Sequence, residues 1–194
     1  MSREAALDRT TATLPEAVGV ARQTPVDEAA VRLALAEIPD PELPVVSIVD
    51  LGIIGSIDVS ATRIHVELLP TFVGCPAMEL IRAAVADRLE RLAPTLAVEV
   101  EASMAEPWTS DRITDRARRR LAAVGIAPPE PTGSQPADGP AGRPLPIVRL
   151  DGSVACPSCG STRTRLENAF GPTLCRTIRW CADCRQPFEH LKTV

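Results

Sequence analysis

Of the six cysteines in this chain of 194 residues, four fall into two closely spaced pairs. Cys156-Pro157-Ser158-Cys159 forms one CxxC knuckle and Cys181-Ala182-Asp183-Cys184 a second. Two intervening residues let both sulfurs of a knuckle turn toward one ion within a tight loop. Two such knuckles complete the tetrahedron of four thiolates that zinc accepts. Gly160 follows the first knuckle, where the backbone must turn sharply. Zinc is the expected ion, although four cysteines can also hold an iron–sulfur cluster. A thioredoxin-like redox pair lacks its βαβ context, and two disulfides do not suit a reducing compartment. Cys175 is a fifth thiol in the same segment and reads as a small buried residue, with a ligand or redox role as the alternative. His190 reads as a packing or surface residue, not a ligand.

The sixth cysteine, Cys75, lies in Thr71-Phe72-Val73-Gly74-Cys75-Pro76. Pro76 suits the first position of a helix, which places Cys75 at the cap. There the free backbone N–H groups and the positive end of the dipole are expected to lower the thiol pKa. A reactive or metal-accepting thiolate would follow, with Asp40, Glu42 and Asp50 supplied by preceding loops. The alternative is a buried structural cysteine among solvated carboxylates. With no His in a neighbouring motif, a cysteine hydrolase is disfavoured.

The elements that must position these groups read as follows. Residues 1–23 are rich in Ala and Thr, lack periodicity and suggest a disordered extension. A helix should start at Thr24 as cap with Pro25 first, carry Val31, Leu35 and Ile38, and stop before Pro41. Two strands, Ile53–Val59 and Arg63–Leu69, follow the rigid Asp40–Pro44 loop; in the second, Ile64, Val66 and Leu68 share a face. The helix after Pro76 should bury Leu80, Ile81, Ala84, Val85 and Leu89. A third strand spans Leu96–Val100. An Arg-rich helix over Asp111–Val124, capped by Thr109 or Ser110, ends at Gly125. This order predicts an α+β fold: a small two-layer α-β-β-α-β-α domain over 24–128, followed by a separate four-cysteine zinc ribbon over 150–194. Between them, 129–149 is a Pro/Gly-rich linker by composition.

Aromatics are only 3% and Tyr is absent, so the core must be aliphatic. A net charge of −4 gives no global reason to expect nucleic-acid binding. From Ile147 onward, however, seven Arg/Lys face four Asp/Glu, so a basic module sits behind an acidic body. No signal peptide or membrane span is evident, and a cytoplasmic protein with no membrane partner is expected.

Asp40-Pro41-Glu42-Leu43-Pro44, Ser47-Ile48-Val49-Asp50-Leu51-Gly52, Thr71–Pro76 and Glu106-Pro107-Trp108-Thr109-Ser110-Asp111 together resemble the metal–sulfur cluster assembly domain. Joined to the terminal CPxCGS…CxxC ribbon, the arrangement is similar to the PaaD family of subunits associated with phenylacetyl-CoA epoxidase, of bacterial phenylacetate catabolism. The resemblance implies an accessory maturation protein, not an enzyme, that assists assembly of an iron–sulfur or iron centre. It implies that Cys75 and the Asp40–Pro44 loop lie in the functional region. It also implies epoxidase subunits as partners, in particular an iron–sulfur reductase component. Two other readings remain: a non-catalytic structural subunit of the oxygenase complex, or a nucleic-acid-binding zinc ribbon. The latter would have only Phe170, Trp180 and Phe188 to stack on bases, and nucleic acid is not an expected partner.

Overall fold

A computed structural model describes residues 26–72, 74–130 and 154–192. The extension at 1–23, most of the linker at 129–149, and Val73 lie outside the described residues.

Helix α1 spans Glu28–Leu35 and buries Val31, Ala34 and Leu35. Its cap is Asp27, whose Oδ1 accepts the Ala30 N–H at 2.8 Å, not Thr24. Asp27 is itself a strong cap and puts Glu28 in the first turn, so it defines the start. Strands β1 (Ile54–Val59) and β2 (Arg63–Leu68) form a hairpin closed by Ser60, whose Oγ accepts the Arg63 N–H. Ile64, Val66 and Leu68 are fully buried on one face of β2, as their alternation requires. Helix α2 (Ala77–Leu92) then crosses over and returns the chain as β3 (Ala97–Ala102), parallel to β2. The sheet order is β1-β2-β3.

The buried stripe of α2 is Ala77, Ile81, Val85 and Leu89, spaced every fourth residue. Leu80, expected on that stripe, is 63% exposed, because it lies one position around the helix from Ile81. The Arg-rich helix is also shorter than expected. Ser110–Arg112 forms a 3-10 turn, Ile113 is extended, and α3 runs only Asp115–Ala123. Thr114 breaks the helix because it serves two partners. Its Oγ1 caps Ala117 and donates to Asp50, while its backbone N–H donates to the Asp50 carbonyl. The chain leaves α3 at Gly125, φ +83°, as anticipated.

After α3, Ile126–Ala127 (β4) joins a second sheet. This sheet contains β5 (Thr164–Asn168), β6 (Arg176–Cys181) and β7 (Pro187–Leu191), in the order β4-β7-β6-β5. β4 pairs parallel with β7, Ile126 opposite Glu189. Leu191 belongs to the core of the first domain, and Cys175 packs against that core. The ribbon therefore sits against the α+β domain, seated by a shared strand pairing and a shared apolar contact.

Candidate metal centre and thiol cleft

The four knuckle cysteines converge. Their sulfurs all lie within 4.8 Å of one another, with Cys156 and Cys184 3.6 Å apart and Cys159 and Cys181 likewise 3.6 Å. Each knuckle closes on itself: Gly160 N–H donates to the Cys156 carbonyl, and Arg185 N–H to the Cys181 carbonyl. The residue after each knuckle adopts a left-handed conformation, Gly160 at φ +72° and Arg185 at +57°. The N–H groups of Cys184 and Asp183 stabilise the Cys181 thiolate and bring its pKa down to about 6. Around the centre, Asp183 accepts from Ser161 and Arg163 and bridges the knuckles. Such a donor set could hold one metal ion. His190 is buried beside Arg179 and not among the sulfurs; burial, then that charge, takes its pKa down to about 4.

A second cluster lies where the ribbon meets the first domain. Asp40, Glu42, Cys75 and Cys175 line one cleft, with Met78 and Trp108 among its apolar walls. Its volume is about 380 Å³, counting the part open to solvent. Asp40 is buried; its Oδ1 accepts the N–H groups of Glu42 and Leu43 at 2.9 and 2.8 Å, which shapes the Asp40–Pro44 loop. Burial raises the Asp40 pKa despite those bonds. Across the cleft, Cys175 Sγ donates to Glu42 Oε2 at 3.6 Å and lies 3.1 Å from Thr173 Oγ1. Trp108 is buried, and its Nε1–H donates to the Leu51 carbonyl at 2.9 Å, holding the Asp50–Gly52 turn against this wall.

The thiol of Cys75 departs from expectation in sign. Helix α2 begins at Ala77 with Pro76 in the cap position, and the Ala77 and Met78 N–H groups do reach the Cys75 sulfur and favour its thiolate. Burial works against the charged form more strongly, and the negative charges of Glu42 and Asp40 add to it, so the pKa is raised, not lowered. Cys175 behaves alike: burial first, then Glu42, pushes it up to about 11. Both thiols are therefore protonated near neutral pH.

Asp50 is not among the cleft-lining residues. Its Oδ1 accepts from Arg116 Nη2 at 2.8 Å and Thr114 Oγ1 at 3.1 Å, tying α3 to the turn before β1. Its burial would raise the pKa, but the Arg116 and Thr114 hydrogen bonds and the Arg116 charge outweigh it and hold the carboxyl below the usual range. Sequence reasoning did not place Trp108 or Cys175 at the cleft. Trp108 stands in the Glu106–Asp111 motif, a signal that was present; Cys175 carries no local signal. Near Cys175, Lys192 places its ammonium over the rings of Phe170 (4.9 Å) and Phe72 (5.8 Å) and donates to the Leu174 carbonyl.

Among the described residues no helix is long and apolar enough to cross a membrane. Residues 28–102 match the family described as iron-sulfur cluster assembly protein, and residues 145–192 match the PaaD zinc beta ribbon domain. A protein of Escherichia coli (strain K12), provisionally named as a subunit of 1,2-phenylacetyl-CoA epoxidase, is 34% identical over 160 residues. That match spans 82% of this chain and 89% of the relative. The Fe-S protein maturation auxiliary factor YitW of Bacillus subtilis (strain 168) is 33% identical over 89 residues, covering 45% of this chain and 86% of that protein. A solved domain of unknown function, DUF59, from Bacillus anthracis is 27% identical with a TM-score of 0.45, over 48% of this chain and 90% of that one.

Proposed function

Because the chain belongs to the PaaD family of phenylacetyl-CoA epoxidase subunits, we propose that it is an accessory maturation protein of that oxygenase system, assisting assembly of an iron–sulfur or iron centre in a client subunit. The observation that carries this reading is the cleft in which the Cys75 thiol faces Asp40 and Glu42. Thiols beside carboxylates suit iron held in passing. They offer soft and hard donors together, in a cleft that is not a closed structural cage.

The α+β domain and the ribbon form the two functional units of this reading. The ribbon's ion is zinc. A tetrahedron with Zn–S of about 2.3 Å has sulfurs about 3.8 Å apart, close to the 3.6 Å pairs here. On a multi-iron cluster the four cysteines are divided among two or four irons, so the set as a whole spreads further than the 4.8 Å that contains all four sulfurs here. Cys156, Cys159, Cys181 and Cys184 would hold the zinc, which is redox-inert and supplies only a structural clamp. The chain is not itself catalytic in this reading. Its two histidines lie outside the cleft lining, His65 paired with Glu101 on the sheet and His190 buried in the ribbon. The client is the iron–sulfur reductase component of the epoxidase, and the setting is the cytoplasm.

Expressing the epoxidase components with and without this chain, then measuring iron and sulfide in the purified reductase component, tests the reading. Cofactor content should fall in its absence, and equal content in both preparations would overturn it. The name of the Escherichia coli relative favours one second reading, a structural subunit. Stable, stoichiometric co-purification with the oxygenase subunits would support that instead.

A further inference from the structure

Cys175 is the one ribbon thiol that stands outside the four-sulfur centre, and the fold carries it to the other module. The carbonyl of Cys175 accepts the Lys192 N–H, its sulfur reaches Glu42 of the α+β domain, and the residue packs against that domain's core. Cys75 enters the same cleft from the start of α2, with Asp40 and Glu42 beside it. The nearby cations have direct partners of their own, while their charges still act on Asp40 and Cys175. Arg176 bonds Glu189 Oε2 at 2.6 Å and Thr173, and Lys192 is held by the Leu174 carbonyl and two aromatic faces. The cleft thus gathers two thiols and two carboxylates; the Arg176 charge acts on Asp40 and Cys175 without a direct ion pair to either carboxylate among the described residues.

We propose that Cys75 and Cys175, one from each module, are paired ligands of a single cation-binding site completed by Glu42, and that the site takes a thiophilic divalent ion, ferrous iron, as cargo. This rests on the maturation reading and deepens it: the ribbon supplies half of the working site. Among the described residues only the knuckle cysteines form a collapsed ligand set. The cleft groups are more open, so their side chains must turn inward on a cation between modules that β4–β7 pairing and Leu191 already hold together. That suits an ion that is received and released, whereas the knuckle site suits one that stays. Binding is an exchange of protons for metal: each ligating thiol releases one proton to solvent as its sulfur bonds iron, and nothing is oxidised.

The test uses the full chain with its ribbon metal in place, titrated anaerobically with ferrous iron alone. Retained iron, thiolate-to-iron absorption and ribbon zinc content are measured. In the same samples, alkylation of Cys75 and Cys175 by N-ethylmaleimide is followed by peptide mass analysis. Wild-type protein should bind about one iron with its zinc unchanged, and iron should protect both thiols. Cys75→Ser and Cys175→Ser should each weaken iron binding about tenfold or more, with ribbon zinc retained. The protection measurement needs no variant, so a misfolded Cys175→Ser protein would not blunt the test. If iron protects Cys75 but leaves Cys175 equally reactive, or Cys175→Ser binds as wild type does, the paired site is overturned while the maturation reading stands. If wild type takes up no ferrous iron, the site is overturned, and the iron content of the client then decides the maturation reading by itself.

Discussion

Replacing Gly52 with alanine probes the wall of the cleft. Gly52 ends the turn that carries Asp50 and Leu51, at φ +69°. A Cβ there would lie 2.4 Å from Arg112 Cβ, 2.7 Å from the Arg112 carbonyl oxygen and 2.9 Å from its carbon. Two of these are backbone atoms in the 3-10 turn, and they cannot swing aside. The Arg112 side chain is equally committed, donating to the Gly52 and Ile54 carbonyls. Left-handed backbone costs an L-residue about 1–2 kcal/mol, and forced overpacking typically adds about 1–3 kcal/mol. The total, about 2–5 kcal/mol, is a large part of the roughly 5–15 kcal/mol that holds a domain folded. At about 2–4 °C per kcal/mol for a chain of this size, the melting temperature should fall by roughly 10 °C. Gly125→Ala is the control. Gly125 has φ +83° but nothing within 4 Å of its Cβ position, so it carries the strain without the clash and should cost only about 1–2 kcal/mol. Calorimetry on both variants measures the difference. Equal losses at the two positions would refute the close packing of the Asp50–Gly52 turn on Arg112.

Three further outcomes are expected. Stripping the ribbon metal with a chelator should unfold β5–β7 and red-shift Trp180, which lies in β6, while the far-ultraviolet helix signal of α1–α3 persists; an unchanged Trp180 would contradict a structural ion. Asp50→Asn should lower stability by about 1–3 kcal/mol near neutral pH, because the buried carboxylate loses its charge in a part-buried, charge-assisted bond to Arg116. Because the folded-state pKa of Asp50 is depressed, its contribution is present above the unfolded value of about 3.9. It is lost as pH falls through the folded value, so urea midpoints of wild type and Asp50→Asn should converge below about pH 4. Alkylation of Cys75 and Cys175 should be slow at neutral pH and accelerate as pH rises toward and beyond the usual thiol range, since both pKa values are raised; rapid reaction of Cys75 at neutral pH would reinstate the activated-thiolate expectation.

Local chemistry was readable from the chain, and long-range placement was not. The knuckle spacing and Gly160 announce a four-thiolate centre because the ligands are near neighbours within each loop. The alternation in β2 announces its buried face because a strand's period is two. The break at Ile113 was hidden, since Thr114 is set by its bonds to Asp50, 64 residues earlier. Leu80 reads as part of the α2 stripe because it is apolar and adjoins Ile81, but two consecutive helical positions cannot both face the core. The sign of the Cys75 shift required knowing how far the thiol is buried and how close Asp40 and Glu42 come. Cap position alone points the other way. Cys175 was read as a small buried residue, and it is half-buried with its sulfur on Glu42. Only the pairing of β4 with β7 and the seating of Leu191 in the first core bring that thiol to the cleft.

The central claim is that Cys75 delivers assembly function to a client in the epoxidase system. The most direct measurement is iron and sulfide content of the reductase component after co-expression with wild-type chain, with Cys75→Ser, or with neither. Cys75→Ser protein that folds and keeps its ribbon metal should leave the client as poor in iron and sulfide as having no chain at all. A client filled equally by Cys75→Ser and wild type would contradict the account.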